Sequence, residues 1–347
     1  MRAPLVAALV LTSILGVSCG EDFPPYNRLT TARVLAIAAE PSMPGPGETT
    51  TLRAFTYVPE VGAGFEMPGV SYSWSWCPFP STDGTTCDVS ALAPLGITPA
   101  SLDLGQGSSA AFTHSVPVEV LQAICAMQPG GQRLFDCLGG FPIQIRVKTT
   151  FTGATVSPTG TDEIITVSTL RLRFSDQHLP NVSPVIEGLQ GELPIKVTGE
   201  EPQMGEPKKK IFSIGVERDP ETALPRDEET VIRALIPDSS IELFNGRNND
   251  QVELPIRETL QLSWFVETGN TQSAQTTYYR NVRQDPQYTM GDREISKPDL
   301  ANALDNKWIP AKVKDYAKNT AHIIVIVRDN RGGVAVRDGF VNLEEGP

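Results

Sequence analysis

Five short segments of this chain occur twice in the same order, and that duplication limits the fold more than any other feature. Arg33-Val34-Leu35-Ala36-Ile37 is echoed by Lys210-Ile211-Phe212-Ser213-Ile214, and Leu52-Arg53-Ala54-Phe55 by Ile232-Arg233-Ala234-Leu235. Tyr72-Ser73-Trp74 returns as Leu262-Ser263-Trp264, Ile143–Lys148 as Ile323–Arg328, and Gly153-Ala154-Thr155-Val156 as Gly333-Val334-Ala335-Val336. Four of the matches lie about 180 residues apart; the tryptophan match drifts by about ten, as an insertion would make it. Matches held in register are the mark of a duplicated unit. A chain of 347 residues is long enough for two such units.

The repeated segments read as β-strands. They alternate apolar with polar residues, are rich in Val, Ile and Thr, and are bounded by Gly, Pro, Asn and Asp. The clearest is a hairpin: Ile323–Val327, a turn over Asp329-Asn330-Arg331-Gly332-Gly333 with glycines to supply positive φ, then Val334–Val341. The Pro- and Gly-rich run Pro41–Gly47 marks a turn between early strands. One short helix is expected before the last hairpin of each copy, over Val118–Met127 and Leu300–Leu304. Ser115 with Pro117, and Ser296 with Pro298, supply the start signals.

Short strands with regular turn signals imply an all-β fold of two tandem antiparallel sandwiches. The Ser-Trp strand and the closing Val327-Arg328-Asp329-Asn330-Arg331-Gly332-Gly333-Val334-Ala335-Val336 hairpin make each copy resemble immunoglobulin-like domains of bacterial surface lipoproteins, broadly of the PKD or fibronectin type. The resemblance implies architecture rather than activity. Boundaries follow: 1–18 a signal peptide, 19–30 a tether, 31–175 the first sandwich, 176–190 a linker, and 191–347 the second sandwich. Each copy is longer than the roughly 100 residues of the standard fold. The excess falls at 78–140, read as a disulfide-bearing insertion, and at 268–320. The linker should be semi-rigid, because Pro180 and Pro184 each restrict two residues.

The N-terminus has the layout of a secretory signal: Met1-Arg2, an apolar run over Ala3–Val17, and small residues ahead of Cys19. A cysteine at that junction resembles the lipid-bearing residue of bacterial lipoproteins, although Gly16 stands where that signal usually has leucine. Ordinary secretion with cleavage near Ser18 or Gly20 is the alternative. Gly20 rather than aspartate after the cysteine, again by resemblance, points to the outer membrane. Five cysteines are odd in number for an oxidising compartment. Lipid on Cys19 leaves two close pairs, Cys77 with Cys87 and Cys125 with Cys137, though a crossed pairing fits the sequence too. Zinc is disfavoured, because no Cys-x-x-Cys and no nearby histidine gives ligand spacing.

Tyr72, Trp74 and Trp76 share one strand face. Exposed, they would stack on sugars; buried, they are the core tryptophan stripe that Leu262, Trp264 and Val266 repeat. Asn245–Asp250 with Glu253 could supply oxygens to calcium but lacks the usual spacing and reads equally as turn chemistry. Lys208–Lys210 beside Glu200, Glu201 and Glu206 reads as a solvated strand entry, and Asp329 and Asp338 as solvated or salt-bridged. A net charge of −12 argues against nucleic acid as a partner. The histidines are three, His114, His178 and His322, and no zincin, nucleophile-elbow or phosphate-loop motif occurs. The sequence therefore implies a non-enzymatic envelope protein without cofactor or metal. Its partners are expected to be a membrane, through lipid at Cys19, and an envelope protein or glycan bound through enlarged loops, with the segment 78–140 as the first candidate surface. An accessory subunit of a secretion, transport or motility complex is the alternative. A hydrolase using a carboxylate pair ranks below both.

Overall fold

The computed structural model describes residues 25–345 apart from 81–85, 88, 91–92, 94–95, 127–136, 138, 154–162, 176–177, 195–208, 217–221, 248–252 and 279–303. The first copy contains β1 (Arg33–Glu40), β2 (Thr49–Val58), β3 (Gly62–Gly64), β4 (Val70–Cys77), β5 (Asp103–Gln106) and β6 (Ser109–Thr113). Helix α1 (Val118–Cys125) and the hairpin β7 (Phe141–Phe151) and β8 (Glu163–Leu172) complete it. The second copy runs through β9 (Gly188–Pro194), β10 (Lys209–Ile214), β11 (Ala223–Leu224), β12 (Thr230–Leu235), β13 (Leu243–Arg247), β14 (Glu253–Arg257) and β15 (Leu260–Val266). It ends with β16 (Asn270–Thr271), β17 (Gln275–Tyr278), β18 (Asp305–Ile309), β19 (Thr320–Asp329) and β20 (Val334–Leu343).

Each copy is a sandwich of two sheets. In the first, β5-β4-β7-β8 faces a sheet in which β2 pairs with β1, β3 and β6. In the second, β11-β20-β19-β15-β17 faces β10-β9-β12-β18-β16, with β13 and β14 forming a separate ribbon. The duplication is visible in the order of the tryptophan sheets, because β17-β15-β19-β20 repeats β5-β4-β7-β8. Pairing is antiparallel except where β11 runs parallel to β20 and Arg28 bridges Val266.

One repeat match joins strands that are not equivalent. The strand that pairs with β12 as β1 pairs with β2 is β9, and β10, which carries Lys210–Ile214, lies one place further out. The sequence of β9 hides its role because Gly191 takes a core position without a side chain. The Phe212 ring fills the space over it, and a Cβ there would sit inside that ring. The helix of the first copy starts at Val118 as expected, but Pro117 holds the N-cap position and no side chain caps the helix. Residues 300–303 of the helix expected over Leu300–Leu304 and the repeat residues Ala154–Val156 lie outside the described residues; Leu304 is in a turn.

Three apolar layers separate the four sheets. The first fills the sandwich of the first copy with Ile37, Leu52, Trp74, Phe112, Ile145 and Leu172. The third does the same in the second copy with Leu189, Phe212, Ile232, Trp264, Trp308 and Val325. Between the copies lies the second layer, where Leu35, Ala36, Phe55 and Tyr57 of the first copy meet Phe265, Ile324 and Ile326 of the second. The sheets holding β2 and β19 are therefore covered on both faces where the copies meet. Ile323, Val325 and Val327 point into the third layer while Ile324 and Ile326 point into the second, and all five are fully buried. A strand buried on both faces loses its alternation and becomes a continuous apolar run. Each such side chain contributes roughly 1.5–3 kcal/mol of burial.

The two sandwiches thus pack directly against each other rather than hanging on a linker. Of the expected tether, residues 27–30 belong to the body: Leu29 is 2% exposed, its amide donates to the Val266 carbonyl at 2.9 Å, and Val266 donates back to Asn27 at 3.0 Å. The expected linker is likewise built in, with Asn181 and Ile186 buried and β9 starting at Gly188, ahead of residue 191. Ile324→Ala is expected to cost about 2–5 kcal/mol in urea unfolding, because it opens a cavity between the copies. Ile165→Ala, on an exposed face of β8, should stay within about 0.5 kcal/mol.

Candidate binding surfaces

The aromatic row of β4 is interior. Tyr72, Trp74 and Trp76 are buried, and the indole nitrogens of Trp74 and Trp76 donate to the carbonyls of Gly107 (2.8 Å) and Ser101 (2.9 Å). Trp264 occupies the same place in the second copy and donates to Thr276 Oγ1 at 2.9 Å. These rings are core and offer no stacking platform. Buried indoles need such acceptors, because an unpaired N–H away from water is costly.

Disulfides join Cys77 to Cys87 and Cys125 to Cys137, with Cα atoms 5.6 and 5.9 Å apart. Cys19 lies outside the described residues. The segment 78–140 is not an insertion on the sandwich but part of it. It supplies the edge strand β5, the strand β6 that pairs with β2, and helix α1, and it places Val89, Ile97, Phe112 and Leu121 in the first core. Its second-copy counterparts are β17 and β18. Replacing it with a short turn would remove core strands, so it cannot serve as a detachable recognition loop. The Cys125–Cys137 bond pins the end of α1 to a loop whose Cys137 carbonyl meets His178 Nε2 at 2.9 Å. Changing both cysteines of that bond to serine should lower thermal stability by about 3 kcal/mol, read by calorimetry.

The two outer sheet faces differ in chemistry. On the first copy, Ser71, Ser73, Gln106, Lys148, Thr150 and Glu163 line a shallow polar hollow of about 240 Å³. Ile165 and Val167 stand exposed beside it on the edge strand β8. On the second copy the outer face carries an ionic ladder across four strands. Lys209 meets Glu192 at 3.1 Å, Glu192 meets Arg233 at 3.1 Å, and Arg233 grips Asp305 at 2.5 and 2.7 Å. Lys209 is thus paired across the sheet at the strand entry.

A deeper hollow of about 460 Å³ opens at one end of the first sandwich. Phe151, Val58, Val70, Thr30, Pro59, Glu60 and Pro68 are among the residues that line it. Glu60 adopts positive φ, a region that non-glycine residues rarely enter. Its carboxylate reaches Lys318 of the second copy at 2.8 Å, and Lys318 also holds Glu267 at 2.8 Å.

Opposed to these open surfaces is a closed polar cluster where the β19–β20 turn enters the seam. Arg331 is 2% exposed. Its guanidinium donates to Glu258 (3.1 Å), Glu242 (3.4 Å), the Leu179 carbonyl and Met43 Sδ (3.6 Å), and it lies 5.1 Å from the Phe244 ring. Asp329 accepts from the amides of Arg331 and Gly333 at 2.8 Å and from the Asn181 side chain at 3.1 Å. Ser42 of the first copy donates to the Asn181 carbonyl at 2.9 Å. Burial, reinforced by the charge of Asp329, pushes the Glu258 carboxyl up to about 7. Sequence reasoning missed this cluster, because a charged residue in a Gly-Gly turn reads as solvated. Asp329 is buried instead, whereas Asp338 pairs with His322 at 2.9 Å as expected. The one available signal was Arg331 itself, an arginine set inside a turn that needs only small residues.

All three histidines are committed to structure. His114 Nε2 lies 3.1 Å from the Arg173 carbonyl, His178 packs on Phe174, and His322 stacks on Phe340. Burial lowers the affinity of His114 and His178 for protons. Among the described residues no group of three or more His, Cys, Asp or Glu is arranged to hold a metal. The side chains of Asn245–Asp250 and Glu253 lie outside the description. No described helix is long and apolar enough to cross a membrane.

No protein-family model and no curated protein matches the chain. Among solved structures, murine CEACAM1b aligns over 89% of this chain and 98% of its own at 10% identity and a TM-score of 0.19. The D00-D0 domain of intimin aligns over 91% and 99% at 7% identity and a TM-score of 0.20. The C-terminal domain of the Streptococcus pyogenes antigen I/II-family protein AspA aligns over 90% and 98% at 10% identity and a TM-score of 0.18. Likenesses at such TM-scores establish no relationship.

Proposed function

We propose that this chain is a non-enzymatic envelope protein, anchored in the outer membrane by lipid on Cys19, that presents a stiff double sandwich to a protein or glycan partner. The observation that carries this reading is the apolar layer between the copies, in which Phe55 and Tyr57 meet Phe265, Ile324 and Ile326. Such a layer makes the two sandwiches one block, suited to holding a surface at a fixed distance and angle. The chemistry-bearing groups support the same reading, since the histidines and Arg331 are spent on internal bonds. The polar outer face of the first copy, with exposed Ile165 and Val167 at its edge, is the surface offered to the partner. A scaffold of this kind carries recognition on what it exposes and rigidity in what it buries.

An accessory subunit of a larger envelope complex is the second reading, favoured by the same stiffness. Stoichiometric co-purification with membrane components distinguishes it from a free surface binder. Two measurements test the leading reading. Intact mass and membrane partitioning of the mature protein should show acyl mass on Cys19 and loss of membrane association in Cys19→Ser. Ser73→Arg on the outer face should reduce capture of the envelope partner at least tenfold without changing stability. A soluble, unmodified wild type would sink the anchor, and unchanged capture would remove this face from the binding role.

A further inference from the structure

Two carboxylates, Glu242 and Glu258, meet one guanidinium at the closed end of the seam, with a third, Asp329, held beside them on backbone amides, and the geometry leaves the site short of positive charge. Glu258 and Asp329 are buried and Glu242 is partly so; Arg331 is the cation that Glu242 and Glu258 share, while Asp329 accepts from the Arg331 and Gly333 amides. With all three acids ionised, the cluster carries two negative charges beyond the one that Arg331 offsets, and two of the acids, Glu258 and Asp329, are buried. The segments it joins come from different parts of the chain: the turn at Ser42 and Met43, the connector at Leu179–Asn181, the β19–β20 turn, and the residues flanking β13 and β14. The Asn181 Oδ1 atom is also buried there without a partner.

We propose that this cluster is a proton-operated latch between the two copies, closed when one proton is bound among its carboxylates and slackened when that proton leaves. Glu258 is the group that takes the proton. It faces Arg331 and Asp329 from the β19–β20 hairpin and Glu242 from the entry to β13; on the connector, His178 stands within the field of Arg331. A neutral Glu258 relieves the repulsion from Asp329 and Glu242 and leaves Arg331 paired with Glu242, while Asp329 rests on the Arg331 and Gly333 amides and Asn181. Because the closed form holds this proton up to about pH 7 and a solvated glutamate releases it near 4.5, stabilisation is complete below the lower value. It is lost as pH rises through the upper one. The apolar layer further along the seam does not titrate, so the loosening is local to one end. The inference does not depend on the lipid anchor or on any partner.

Hydrogen exchange of the full chain tests it, read at the amides of Val182, Glu242, Arg331 and Gly333 and corrected for the intrinsic effect of pH. Their protection should fall about a hundredfold between pH 5 and pH 8. In Glu258→Gln protection should be high and flat across that range, and in His178→Gln the fall should persist. A flat wild type, a fall retained in Glu258→Gln, or a fall abolished in His178→Gln overturns the proposal. Should Glu258→Gln fail to fold, carbon NMR titration of the Glu258 carboxyl in the wild type decides: a midpoint near 7 supports the latch and one near 4.5 overturns it.

Discussion

Burial of β19 on both faces is the constraint on which the rest of the structure depends. Ile323, Val325 and Val327 close the second sandwich, while Ile324 and Ile326 close the seam against Leu35, Phe55 and Tyr57. One strand thereby belongs to two cores, and any motion that opens the seam exposes side chains the second sandwich holds in place. Polar bonds finish the joint at its edges. Arg328 donates to the Leu35 carbonyl at 2.8 Å and to Ser263 at 3.2 Å, and Lys318 bridges Glu60 and Glu267. The Lys318 pairs fix the register of the two copies more than they add stability, since exposed ion pairs contribute little. The apolar layer supplies the energy, and the N-terminal residues Asn27–Leu29 extend it by pairing with Val266.

At its closed end the seam changes character from apolar to ionic. A buried arginine with several carboxylates is a weak source of stability, because desolvation offsets much of the attraction. Its value lies in specificity: only one placement of the β19–β20 turn satisfies Leu179, Glu242, Glu258 and Met43 together. Gly332, at positive φ, and Gly333, where a Cβ would collide with Asp329, permit that tight entry. A body so joined holds its two ends in a fixed relation, as the proposed scaffold role requires.

Much of the fold was legible in the sequence because strand signals are local. The tryptophan strands follow from alternation, the last hairpin from β-branched residues around a Gly-Gly turn, and the first helix from an early proline. What escaped was set by contacts distant in sequence. Nothing in Gly188–Pro194 announces a core strand, since Gly191 leaves room for Phe212 instead of packing a side chain of its own. The unbroken run Ile323–Val327 did carry a signal, because a half-solvated strand would alternate and this one does not. It implied a second covered face, and hence a partner sheet, that the tandem-bead picture left out. Segment 78–140 looked like an insertion because its short strands, Asp103–Gln106 and Ser109–Thr113, are weak patterns stabilised by their neighbours. The Arg331 cluster was least legible, being assembled from residues between about 40 and 330 whose spacing carries no pattern.

Calorimetric unfolding of the mature chain tests the central claim most directly. If β19 joins two cores into one body, both sandwiches unfold in a single transition whose calorimetric and van't Hoff enthalpies agree. Two resolved transitions, each matching the enthalpy of a half-sized unit, would contradict it and return the chain to two independent domains on a linker.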